Sequence, residues 1–220
     1  MEIQNKIATL RQQIPPNVRL VCVSKFHPET AITEAYNVGE RDFGESRAQE
    51  LTRKAAVLPH DIRWHFIGSL QTNKVKMVVP IAYLIHSVDS EKLLAAINNC
   101  AAENNLTCNV LLEVHIAQDI TKHGCSVEEL TTFFTTEKWK EFPNVHICGL
   151  MGMGTLDANE SQTRQEFNTL HTLFLKLKNI FSQTYFNELS MGMTHDFPLA
   201  IEEGSTCVRI GTFIFGERQY

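Results

Sequence analysis

The chain has 220 residues, 43% hydrophobic and 20% charged, enough for a globular core that needs neither disulfides nor a structural metal. A formal net charge of −5 and a pI near 6.0 exclude a broad basic face, and with it nucleic acid or an acidic membrane as the main partner. The N-terminal stretch MEIQNKIATLRQQ lacks the apolar centre of a signal peptide, and no apolar run approaches a membrane span, so a cytoplasmic location is expected.

The opening segment puts Ile3, Ile7, Leu10 and Ile14 on one helical face and stops at Pro15-Pro16. VRLVCV at 18–23 reads as the first buried strand, followed by a helix from Pro28 and Glu29 to Gly39. DFGE at 42–45, RWHFIG at 63–68 and YLIHSV at 83–88 are the next three strands. Helices are expected over 47–56, 71–79 and 90–104. VLLEVHI at 110–116 is the fifth strand, with a helix from Ser126. HICGLM at 146–151 is the sixth, ahead of a long helix carrying Phe167, Leu170, Phe174, Leu177 and Phe181 at helical spacing. ELSMG at 188–192 and CVRIG at 207–211 are the last two strands, with a short helix between them and a closing turn after.

Eight strand-then-helix units behind a leading helix predict an α/β fold, a (β/α)8 TIM-type barrel, formed by residues 1–220 as one domain. The strands are nearly continuous apolar runs, as strands covered on both faces are. A doubly wound open sheet is the alternative; no G-x-G-x-x-G follows the first strand, which weakens its dinucleotide-binding version. The six cysteines, Cys22, Cys100, Cys108, Cys125, Cys148 and Cys207, form no C-x-x-C pair and are expected as buried free thiols.

In such barrels the chemistry sits at the C-terminal ends of the strands. Lys25 is the lysine directly at such an end. Burial there lowers an amine's pKa and frees it to attack an aldehyde, although a lysine can also snorkel to the rim or pair with a carboxylate. The loop 190–196 (SMGMTHD) and the end of the eighth strand offer Ser190, Gly192, Thr194, Gly211 and Thr212, which suit a phosphate where barrels often bind one, or merely tight turns. Arg209 in the eighth strand needs a partner, either a buried ion pair or a ligand ring. Met151, Met153, Met191 and Met193 fill core gaps or line a flat ring. His65 and His115 read as hydrogen-bonded core residues. Asp42, Glu45 and Glu50 read as helix-start and surface charges. No histidine spacing points to a metal.

VSKFHP at 23–28, FGESRAQE at 43–50, WHFIGSLQTNK at 64–74, SMGMTHD at 190–196 and GSTCVRIGTFIFG at 204–216 together resemble the YggS/PROSC family of pyridoxal 5′-phosphate (PLP) homeostasis proteins, over nearly the whole chain. The resemblance implies a barrel like the N-terminal domain of alanine racemase, with PLP joined to Lys25 as a Schiff base. It implies phosphate contacts at Ser190, Gly192, Thr194, Gly211 and Thr212, Arg209 facing the pyridine nitrogen, Met151 near the ring, and Met193 among the cofactor-binding residues. Ser46 stands where the family carries asparagine in F-G-E-N, so a ring contact there is lost or water-mediated. Thr194 replaces a family serine and keeps the hydroxyl. Lys122 matches a family lysine beside the site.

Arginine at the ring nitrogen disfavours its protonation and makes PLP a weaker electron sink. Racemisation in alanine racemase needs a second acid–base group from another domain, and this chain stops just after its eighth unit. The expectation is therefore a non-catalytic, monomeric PLP buffer that meets PLP-dependent apo-enzymes transiently. A PLP-dependent racemase and a cofactor-free Schiff-base aldolase are the enzymatic alternatives.

Overall fold

A computed structural model describes residues 2–117 and 124–217. Helix α1 (Glu2–Gln13) precedes eight parallel strands that close on themselves in chain order, β1 (Arg19–Val23) pairing with β8 (Cys207–Ile210). Between these lie β2 (Asp42–Glu45), β3 (Arg63–Phe66), β4 (Leu84–Val88), β5 (Cys108–Val114), β6 (Val145–Gly152) and β7 (Glu188–Ser190). The outer layer consists of α2 (Glu29–Asn37), α3 (Ala48–Ala55), α4 (Val75–Val78), α5 (Glu91–Glu103), α6 (Val127–Thr135), α7 (Glu160–Phe181), α8 (Phe197–Glu202) and α9 (Thr212–Phe215). The predicted barrel is the observed one.

Most element boundaries follow local chemistry. Ser126 caps α6 through a capping box with Glu129, and Asn159 caps α7 through the Gln162 N–H. The expected helix over 71–79 is shorter: a 3₁₀ turn at Thr72–Lys74 leads into α4. The cysteines are free thiols, none in a disulfide.

The alternation of strand residues divides the interior into two environments. Residues facing the helices form the main hydrophobic core, with Leu20, Phe43, Trp64, Phe66, Ile85, Leu150, Leu189, Val208 and Ile210 packed on Phe134, Phe167, Leu170, Phe174 and Phe186. Residues facing the barrel axis are much more polar. Leu84, Leu111 and Met151 form a small apolar plug there, and Asp42, His65, His86, Ser190 and Arg209 are buried beside it.

Two readings of the acidic residues are corrected. Asp42 is a buried group inside the barrel that accepts from Arg63 (2.8 Å) and Arg19 (3.3 Å). Glu45, on the opposite face of β2, is fully buried under α3. It accepts from Ser24 Oγ at 2.6 Å and Lys54 Nζ at 2.7 Å, while Glu50 accepts from the same Lys54 at 2.8 Å. Short polar strands and a K/R-rich helix read as solvent-facing in sequence. The fold places them face to face, where each charge needs its partner.

Candidate functional site

A cavity of about 280 Å³ opens at the C-terminal end of the barrel, at the small end of the range for small-molecule pockets. Its walls come from the two chain-distant but adjacent strands β1 and β8, and from the loop after β7. Lys25 enters from the end of β1, Arg209 from β8, Gly211 and Thr212 from the start of α9, and Met193, Thr194 and His195 from the β7–α8 loop. Val23, Ile67 and Met153 supply apolar wall, His27 and Gly216 the remainder.

The backbone around Lys25 is unusual. Phe26 has a φ of 68°, in the left-handed region that side chains with a Cβ rarely occupy. Its N–H donates to Glu50 Oε1 at 2.8 Å, and the Arg47 guanidinium lies 4.6 Å from its ring centroid. Beneath, the Lys54 ammonium is fully buried, donating to the Ser24 carbonyl as well as to the two carboxylates. Burial outweighs the neighbouring ammonium at Glu45 and pushes its carboxyl up to about 7. Its Oε2 is buried with no hydrogen-bond partner among the described residues.

Arg209 is buried at the cavity floor. Its Nη1 donates to Ser190 Oγ at 2.6 Å and to the Ser190 carbonyl at 2.9 Å, and its Nη2 donates to the Gly152 carbonyl at 3.2 Å. Among the described residues no carboxylate is among its acceptors; Glu113 and Asp196 act on it from longer range, and desolvation lowers its pKa from the usual value. Of the two sequence alternatives, the buried ion pair is therefore not the arrangement found. His27 is held neutral over a wider pH range than usual, chiefly by burial, with its ring 5.3 Å from that of Phe215.

Lys25, Met193, Thr194, Arg209, Gly211 and Thr212 thus meet at one cavity. The other expected residues do not line it. Ser190 lies below the floor and supports Arg209. Gly192, with φ of 96°, faces α8, where a Cβ would come within 2.6 Å of Ala200 Cβ. Met151 belongs to the apolar plug on the barrel axis, and Ser46 abuts Gly68, whose added Cβ would sit 2.2 Å from the Ser46 carbonyl oxygen. Lys122 falls outside the described residues. Met153, grouped in sequence with the other methionines, does line the cavity; His27 and Ile67 lie within the motifs VSKFHP and WHFIGSLQTNK but were not among the expected site residues. Among the described residues no cluster of metal-binding side chains occurs, and no helix is long and apolar enough to cross a membrane.

The sequence profile of the alanine racemase N-terminal domain matches residues 1–219, which defines the chain as a barrel of that class. The same barrel occurs in alanine racemase from Bartonella henselae with covalently bound pyridoxal phosphate, at 15% identity and a TM-score of 0.75 over 99% of this chain and 59% of that one, a likeness of fold alone. Within the class the chain belongs to the pyridoxal phosphate homeostasis protein family. It is 43% identical to the member from Aquifex aeolicus, over 92% of this chain and 88% of that protein, and 40% identical to the member from Synechocystis, over 96% and 95%. PipY of Synechococcus elongatus, solved with PLP bound, superposes with a TM-score of 0.89 at 38% identity, covering 97% of this chain and all of that one.

Proposed function

We propose that this chain binds PLP in the β1–β8 cavity and takes part in PLP homeostasis by holding and releasing it, without turning over a substrate. The observation that carries the reading is the convergence on one cavity of an amine, two phosphate-type loops and a buried guanidinium. The residues fit the group. PLP supplies an aldehyde, a phosphate and an electron-poor ring when bound. Lys25 Nζ is the amine that would hold the aldehyde. Thr194 and Thr212 offer hydroxyls, and the first turn of α9 leaves N–H groups without intrahelical acceptors, suited to the phosphate. Gly211 lets the end of β8 pack closely on β1: a Cβ there would come 3.0 Å from the Val23 carbonyl oxygen. Val23, Ile67 and Met153 provide apolar surface for the ring.

Arg209 bears on the ring. A guanidinium donates and never accepts, so an arginine facing the ring nitrogen would leave that nitrogen unprotonated, which weakens the ring as an electron sink but does not abolish catalysis. The names of the relatives support the non-catalytic part of the reading. Delivery to PLP-dependent apo-enzymes, a cytoplasmic location and a monomeric state complete the proposal.

The test is optical. Purified protein mixed with PLP turns yellow, borohydride fixes the label on Lys25, and Lys25→Ala stays colourless while folding normally. A wild-type protein that PLP cannot colour overturns the reading. Racemisation or another amino-acid conversion at about 1 per second or faster overturns its non-catalytic part.

A further inference from the structure

Five buried polar residues connect the two mouths of the barrel. Asp42 Oδ1 lies 2.9 Å from His65 Nε2, His65 Nδ1 lies 2.9 Å from His86 Nε2, and His86 Nδ1 lies 3.0 Å from Ser190 Oγ, which Arg209 Nη1 approaches at 2.6 Å. They come from β2, β3, β4, β7 and β8, and both histidines and the serine are fully buried.

The two ends dictate the direction of every proton between them. Arg209 can only donate. Asp42, beside Arg19 and Arg63, is ionised far below the ordinary carboxylate range and can only accept. A neutral His65 must then carry its proton on Nε2 toward Asp42, leaving Nδ1 as acceptor. His86 must carry its proton on Nε2 toward His65, and its Nδ1 accepts the Ser190 hydroxyl. The Ser190 oxygen accepts from Arg209. No link is frustrated, and all donors point from the cavity toward Asp42. Burial disfavours the imidazolium form of both rings, and Arg19 and Arg209 add to this at His86.

We propose that Asp42, His65, His86 and Ser190 form one directed hydrogen-bond chain through the barrel that aims and holds the Arg209 guanidinium at the cavity. A guanidinium buried with no carboxylate partner among the described residues needs compensation. A chain of aligned donors ending on an anion gives it through mutual polarisation. His86 is thus a positioning residue: it touches no ligand, but it sets the acceptor strength of the hydroxyl on which Arg209 rests. The functional consequence rests on the reading of the cavity as a PLP site; the chain itself does not.

The test has two arms. In the cofactor-free protein at neutral pH, ¹⁵N NMR of the imidazoles shows His65 and His86 both as single Nε2–H tautomers. An Nδ1–H tautomer or an imidazolium at either ring overturns the chain. In the second arm, His86→Phe, which leaves Ser190 without its acceptor, raises the PLP dissociation constant about tenfold or more, as loss of an outer-shell partner does elsewhere. PLP labelled with ¹⁵N in the ring shifts toward the protonated form in this variant. His86→Gln, which keeps one donor and one acceptor, stays within about threefold of wild type. Should His86→Phe not fold, the Gln variant and the tautomers decide. Equal affinities and ring signals in wild type and a folded His86→Phe overturn the positioning role. Failure of wild-type protein to take PLP, with the tautomers as stated, overturns the proposed function and leaves the chain intact.

Discussion

The carboxylate of Glu50, on α3, accepts the backbone N–H of Phe26 at 2.8 Å, so a helix behind the barrel fixes the left-handed residue that follows Lys25. Removing that acceptor leaves the N–H unmatched and lets the backbone relax out of a costly conformation. Glu50→Ala is expected to lose about 2–3 kcal/mol of stability and to release PLP faster than wild type. Glu50→Gln, whose amide oxygen still accepts, loses less on both counts. Urea unfolding and the rate of PLP release to a scavenger measure the two effects.

Lys54 is a buried cation between two carboxylates and a carbonyl. Lys54→Met leaves Glu45 without compensation and should cost about 3–5 kcal/mol. The double variant Lys54→Met, Glu45→Gln should recover a large part of that loss, because the orphaned charge goes with it. Additive losses in denaturant midpoints would show that the cluster acts through packing alone.

The same glutamate makes stability depend on pH. Its carboxyl is raised to about 7 in the fold from 4.5 when unfolded, so the native state holds the extra proton between those values. The contribution is fully present below about 4.5 and is lost as pH rises through about 7. His65 and His86 act oppositely: neutral in the fold, they contribute above their unfolded value of 6.5 and lose it as pH falls. The comparison to make is therefore wild type against Glu45→Gln. Unfolding curves should diverge in favour of the variant as pH goes from 4.5 to 7, by at most about 3 kcal/mol.

Gly192 packs the β7–α8 loop against α8. Gly192→Ala meets Ala200 Cβ at 2.6 Å and carries a φ of 96°, so a loss of about 2–4 kcal/mol is expected. Ala200→Gly in the same chain relieves the clash but not the backbone strain, and thermal unfolding should show only partial recovery.

The strand order and the positions of Lys25, Thr194, Arg209 and Thr212 were legible because a barrel turns one-dimensional position into a place: residues just past strand ends share one face. What was not legible lies behind that face. Glu45 and Lys54 look like ordinary charges of a short strand and a basic helix, and only the register of β2 under α3 brings them to 2.7 Å. His86 sits in an apolar strand, and its role depends on neighbours 21 and 104 residues away, which no local pattern records. Met151 followed the correct strand end but points down the axis, a matter of inward depth that strand alternation alone does not give.

The pairing of β1 with β8 has a consequence for when the protein becomes competent. Lys25 is made long before Arg209, Gly211 and Thr212, so the amine waits on a ribosome-bound chain until the eighth strand has emerged. A nascent or C-terminally trimmed chain carries the reactive lysine without the walls that retain its ligand. On the proposed function, such fragments withdraw little cofactor from the cell, and a yellow chain is one whose eighth strand has joined the first.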